Sequence, residues 1–195
     1  MGKIFYIIGK SASGKDSIYR ELIGQKDLHL KGVIMYTTRP RREGETEGKE
    51  YFFTDADGIA ALEKAGKLIE KRTYNTIHGP WTYATADDGQ IDLSQGNYLM
   101  VGVLSSYICM RDYFGSDVVI PIYIEVEDGE RLARALERER KGNLKYTELC
   151  RRFLADSEDF SEEKLAAAGI KTRYDNFDFK KCVAEVRKTI KEYDA

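Results

Sequence analysis

Apolar, β-branched and aromatic residues gather in four runs, at residues 3–8, 31–37, 98–103 and 118–126, and each run predicts a strand. Between and after them the apolar positions recur at helical spacing, which predicts helices from 15 to about 24, 55–65, 128–141, 146 to about 167 and 179–193. Strands alternating with helices call for a parallel sheet with helices on both faces. The run "DVVIPIYIEV" is almost continuously apolar, as a strand covered on both sides should be, although Pro121 is expected to leave a gap in its hydrogen-bond ladder. Between the second and third runs the chain turns polar and glycine-containing, with short β-like pieces at 51–53 and 81–85, and reads as an insert at the sheet's edge.

Composition narrows the picture further. A chain of 195 residues suits one domain with its own core, here a core of about 1–36 and 96–195 with an insert of about 37–95. With 33% charged residues and a net charge of -2, neither disorder nor bulk attraction to nucleic acid is expected, so an anionic ligand has to be gripped locally. No apolar run approaches the roughly 18 residues of a membrane span, and no signal-peptide pattern opens the sequence, so a cytoplasmic location is expected. Cys109, Cys150 and Cys182 are too scattered, with only His29 and His78 beside them, for a zinc or disulfide framework; they read as reduced and mostly structural.

The chemistry concentrates in "IFYIIGKSASGKDSIYREL". Gly9, Ser11, Ser13, Gly14 and Lys15 stand between a strand and a helix at the spacing of a phosphate loop, where glycines let backbone N–H groups turn inward around an anion. The helix start adds its positive end, and Lys15 a point charge for the outer phosphates of a nucleotide such as ATP. Asp16 follows, where such loops carry a Ser or Thr hydroxyl for Mg²⁺. Its carboxylate either ligates the metal, directly or through water, or weakens triphosphate binding; Ser17, one place on, is a phosphate contact or a plain first-turn residue. In the insert, Arg39, Arg41, Arg42 and Lys49 precede Tyr51 around Gly44 and Gly48, a second potential anion grip, although Glu43, Glu45, Glu47 and Glu50 offset the charge.

The stretch "TTRPRREGETEGKEYFF" resembles the signature of the guanylate kinase family; "KLIE" and "WTYAT" are similar to that family's guanine-binding glutamate and Tyr-Gly-Ser/Thr segments. The resemblance implies an α/β three-layer P-loop kinase fold, with a central parallel sheet, a monophosphate-binding insert and a helical lid at about 137–152. It implies that Arg39, Arg42, Tyr51 and Tyr83 hold a nucleotide monophosphate, that Glu70 accepts from the guanine N1–H and amine, and that Thr85 meets the carbonyl side. Lid arginines are matched by Arg138 or Arg140 and by Arg151 or Arg152, with ATP as donor and Mg²⁺ as metal. Arg131 and Arg134 are expected on a solvated helix face, with Glu130–Arg134 and Glu137–Lys141 pairs.

The same resemblance exposes departures. Val101 and Val103 stand where the family carries acids for metal and base, Met35 stands where a serine is expected, and extra residues, "NTIHGP" among them, separate Glu70 from Tyr83. "GKDS" and an acid-free strand also resemble ribose 1,5-bisphosphate phosphokinases, in which case Asp16 takes over part of the metal role. The reading is therefore a nucleoside monophosphate kinase for GMP, with a kinase of another small phosphate acceptor and a non-catalytic nucleotide-binding or scaffolding module as alternatives.

Overall fold

The computed structural model describes residues 1–76, 79–142, 144 and 146–193. Its centre is β1 (Ile4–Ile8), all five residues of which are buried. Side chains alternate across a strand, so Ile4, Tyr6 and Ile8 enter one apolar core while Phe5 and Ile7 enter another on the opposite face. Helix α1 (Lys15–Ile23) places Ile18 and Leu22 in the second core. A short β2 (Lys31–Gly32) lies at the sheet's edge. Strand β3 (Tyr36–Thr37) belongs to a different sheet, so the single strand expected over 31–37 is two fragments of the same apolar run.

That second sheet takes β3, β4 (Phe52–Phe53), β5 (Leu68–Thr76) and β6 (Gly79–Ala86), in the order β4-β3-β6-β5. Between β4 and β5, α2 (Ala56–Lys64) starts at Asp55, whose side chain accepts from the Gly58 N–H. The chain then returns to the main sheet as β7 (Tyr98–Gly102) and continues into α3 (Leu104–Phe114), a helix absent from the sequence expectations. Its start is sealed by Ser106, which accepts from the Val103 N–H, and Leu104, Tyr107 and Met110 face the first core. Strand β8 (Val119–Glu125) completes the centre, followed by α4 (Asp128–Lys141), α5 (Tyr146–Asp159), α6 (Glu162–Ala167), β9 (Arg173–Asp175) and α7 (Phe179–Glu192).

The main sheet runs β2-β7-β1-β8-β9, every pairing parallel, with α3 and α6 against one face and α1 and α7 against the other. This is the expected three-layer α/β arrangement. Pro121 leaves no gap. The Ile4 N–H donates to the Val118 carbonyl, so the parallel alternation turns the Pro121 nitrogen away from β1, toward the side where β9 begins only opposite Tyr123. The long helix expected over 146–167 is interrupted. Phe160 turns inward to stack on Tyr123 at 5.8 Å, and Ser161 caps a new helix by accepting from the Lys164 N–H. Cys182 is a core residue as expected, whereas Cys109 and Cys150 are exposed.

Candidate active site

The loop between β1 and α1 lies at the carboxyl ends of parallel strands, between β7 on one side and β8 on the other, the place where open α/β sheets leave a crevice. Gly14 adopts the left-handed conformation at φ 85°, and Ala12 shares it at φ 62°. A Cβ on Gly9 would sit 2.7 Å from both the Ile124 carbonyl and Ser13 Oγ, and one on Gly14 would sit 2.4 Å from Asn176 Nδ2. Close approach to the backbone thus requires glycine at Gly9, and the left-handed φ favours it at Gly14. No side chain caps α1, so its first N–H groups remain for an anion.

Three distant residues brace this loop. Asn176, buried after β9, donates from Nδ2 to the Ser13 carbonyl at 2.7 Å. Asp156 on α5 accepts from the Ser11 N–H at 2.7 Å. Arg131 on α4 donates to the Ser11 carbonyl at 3.0 Å, pairs with Asp128 at 2.7 Å, lies 3.6 Å from Asp156 and stacks over the Phe153 ring at 4.8 Å. Arg131 is only 1% exposed, which corrects the solvated-face expectation: its fork joins two carboxylates and a loop carbonyl that only the tertiary fold assembles. Arg134 pairs with Glu130 as expected but also donates to the Asn176 carbonyl, and the Glu137–Lys141 pair is present on the surface.

Lys15 lies 3.5 Å from Asp16, whose side chain is 72% exposed. Ser17 is exposed in the first turn and accepts a hydrogen bond from Arg20.

In the second sheet, Thr37 is fully buried, donating to the Thr82 carbonyl and accepting from the Arg39 N–H, and so aims Arg39 inward. The Arg39 guanidinium is held in a fork by Glu45 at 2.7 and 3.0 Å and lies over the Tyr51 and Phe53 rings. Glu45 also accepts from the Arg42 N–H at 2.7 Å, which fixes the turn that presents the exposed Arg42. Glu45 is therefore an organiser of the grip, not merely an offsetting charge. Tyr51 packs edge-on to Tyr83 at 5.7 Å. Burial raises the Tyr51 phenol above the usual tyrosine range.

The β5–β6 hairpin explains the remaining insert residues. Glu70 pairs opposite Thr85, Arg72 opposite Tyr83 and Tyr74 opposite Trp81, so period-two alternation brings all six residues to one face. Thr85 Oγ1 donates to Glu70 Oε1 at 2.9 Å, and the Glu70 side chain is 1% exposed. Arg72, which sequence reasoning overlooked although it stands two residues from Glu70, donates from Nε to Glu70 Oε2 at 2.9 Å and from Nη2 to Oε1 at 3.3 Å. The extra residues between Glu70 and Tyr83 lengthen the hairpin tip, where Asn75 faces Pro80 and Thr76 faces Gly79; His78 lies outside the described residues. Val101 turns into the second core, and Gly102 permits a close approach, since a Cβ there would come within 2.6 Å of Tyr6 Oη. Buried Tyr6, its phenol pushed up to about 12 chiefly by desolvation, donates to Ser106 behind the Glu70–Arg72 pair, whose charges it also senses.

Arg138 and Arg140 are exposed near the end of α4. Arg151 and Arg152 are exposed on α5 and both donate to Glu148, at 2.8 Å each, bonds that hold its carboxyl down to about 2. Among the described residues no cluster of three metal-ligating side chains exists, and no helix is long and apolar enough to cross a membrane.

Comparison with known proteins gives the same architecture. Residues 1–86 match the family model for guanylate kinase. A guanylate kinase of Mycoplasma pneumoniae is 32% identical over 137 residues, 70% of this chain and 56% of that protein. Guanylate kinases of Mesoplasma florum and Cupriavidus pinatubonensis are 42% and 30% identical over 69 and 103 residues, which is 35% and 52% of this chain and 23% and 45% of theirs. The chain thus spans about half or less of the length of these curated relatives. Among solved structures, the guanylate kinase of Anaplasma phagocytophilum superposes with a TM-score of 0.70 at 17% identity, covering 98% of this chain and 86% of that one, a likeness of fold.

Proposed function

We propose that this chain, which belongs to the guanylate kinase family, transfers the γ-phosphate of ATP to GMP, giving ADP and GDP. The observation that carries the reading is one hairpin face that holds Tyr83 beside the Arg39–Tyr51 grip and Glu70 with Thr85 beyond it, in a chain that also carries the phosphate loop. Phosphoryl transfer needs placement and charge neutralisation and no protein nucleophile. Arg39, Arg42, Tyr51 and Tyr83 orient the acceptor phosphate. The loop N–H groups and Lys15 hold the donor's outer phosphates. Arg138, Arg140, Arg151 and Arg152, on helices that can close over the site, neutralise charge spread over the transferred group, and closure keeps water from intercepting it.

Mg²⁺ is commonly held by one or two carboxylates together with substrate phosphates and water. Asp16 fits that mode, since it is exposed, adjacent to Lys15 and engaged by no other side chain in an ion pair among the described residues. Bound there, the ion would offset phosphate charge. Replacing Asp16 by Ala is expected to raise the magnesium concentration for half-maximal rate about tenfold or more; an unchanged magnesium titration and turnover would remove Asp16 from the metal site. The reading brings with it a cytoplasmic location and nucleotides as the small-molecule partners.

The test is ADP formation from Mg-ATP with GMP, dGMP, AMP, UMP or ribose 1,5-bisphosphate. GMP is expected to support turnover, and Arg42→Ala to lower kcat/KM for GMP about 10²–10³-fold, as loss of one charged transition-state donor does. Turnover with ribose 1,5-bisphosphate alone would overturn the acceptor assignment, and binding without turnover would overturn the enzymatic one.

A further inference from the structure

The Glu70 carboxylate is already engaged. An ionised carboxylate offers about four lone-pair sites, and Arg72 takes two of them while Thr85 takes a third. The remaining capacity suits one further donor, not the two that the N1–H and 2-amino group of guanine would bring side by side. The end of β7, where the family resemblance expects acids, carries Val101, Gly102 and Val103 instead. What the pair adds is a donor. The guanidinium has five N–H groups and spends two on Glu70. It is a good partner for the O6 of an oxopurine, and in such a base O6 lies beside N1–H, as the guanidinium lies beside the carboxylate here.

We propose that Arg72 is a specificity-determining residue of this site: Glu70 accepts from N1–H and Arg72 donates to O6, so the pocket selects 6-oxopurine nucleoside monophosphates with little regard to the substituent at C2. The inference rests on the acceptor-site reading above and deepens it. A 6-aminopurine mismatches both members of the pair, because its amine faces the guanidinium and its bare N1 faces the carboxylate. Either mismatch sets a donor against a donor or an acceptor against an acceptor at a pair whose glutamate is buried, so the bound base loses water contacts that the site does not replace. IMP and GMP present the same N1–H and O6 edge and differ only at C2, and the end of β7 brings no carboxylate to it.

Calorimetric binding of GMP, IMP, 6-thio-GMP and AMP to the full chain, without ATP, separates this from the question of turnover. The wild-type protein is expected to bind GMP and IMP within about tenfold of each other and AMP about 100-fold or more weakly. Sulfur is the poorer acceptor, so 6-thio-GMP should bind about tenfold more weakly than GMP to the wild type and equally to Arg72→Met. That variant should lose about 10- to 100-fold for GMP and IMP alike. Arg72→Lys, which keeps the charge without the fork, serves if the Met variant does not fold, and is expected to retain only part of the affinity. A wild-type preference for GMP over IMP beyond 100-fold, or GMP affinity unchanged or raised in a folded Arg72 variant, would overturn the proposal. Failure of every nucleotide to turn over while this binding order holds would sink the kinase reading and leave this one standing.

Discussion

Lys15→Met is expected to lower kcat for ATP-dependent phosphorylation of GMP by about 10³-fold, with little change in folding stability. Lys15 follows Gly14, whose left-handed backbone at φ 85° turns the chain so that the lysine opens α1 at the head of the loop. Its ammonium lies against Asp16 at 3.5 Å, and that carboxylate is largely in water, so the pair itself contributes little to stability. On the proposed function, what the substitution removes is a preorganised positive charge where negative charge is shared among phosphates in transit, an interaction worth about 10²–10³ or more in rate. Turnover and a urea melt on the same sample check it. A stability change within about 0.5 kcal/mol with activity lost is the expected outcome, and a Met variant that turns over like the wild type would remove the loop from the chemistry.

Arg131→Ala is expected to act the other way, through stability first. The side chain is 1% exposed and joins Asp128, Asp156, the Ser11 carbonyl and the Phe153 ring. Breaking a buried pair by deleting one partner costs about 3–5 kcal/mol. Asp128 is 47% exposed and can rehydrate, which places the loss near about 3 kcal/mol, or about 6–12 °C in melting temperature for a chain of this size. Arg131→Lys should recover only part of that loss, since an ammonium cannot bridge a carboxylate and a carbonyl in one plane. A denaturant midpoint shifted by less than about 1 kcal/mol would return Arg131 to the solvated face that helical spacing alone suggests. Because the same guanidinium supports the Ser11 carbonyl, the folded fraction of the variant should also bind ADP more weakly.

Much of the site was legible where its logic is local. A strand, two glycines, a lysine and a helix specify the phosphate loop within a few residues, and Thr37 to Tyr51 carries its own turn, with Glu45 six residues from the arginine it holds. Arg72 was legible too by the same rule that places Glu70, since residues two apart on a strand share a face. Helix α3 was missed because its pattern is weak, its apolar residues being interleaved with Ser105, Cys109 and Arg111.

By itself, then, the sequence determined the alternation of strand and helix, the glycine-dependent loop and the two-residue rhythm of the hairpin, since backbone sterics and side-chain periodicity act over neighbouring residues. Only the tertiary structure decided that Arg131 is buried, that Asp156 meets the Ser11 N–H across 145 residues, and that Asn176 meets the Ser13 carbonyl across 163. A charge on an amphipathic helix carries no local mark of burial. Whether it faces water or a carboxylate depends on which distant segments the closing core presses together, and the same spacing serves either fate.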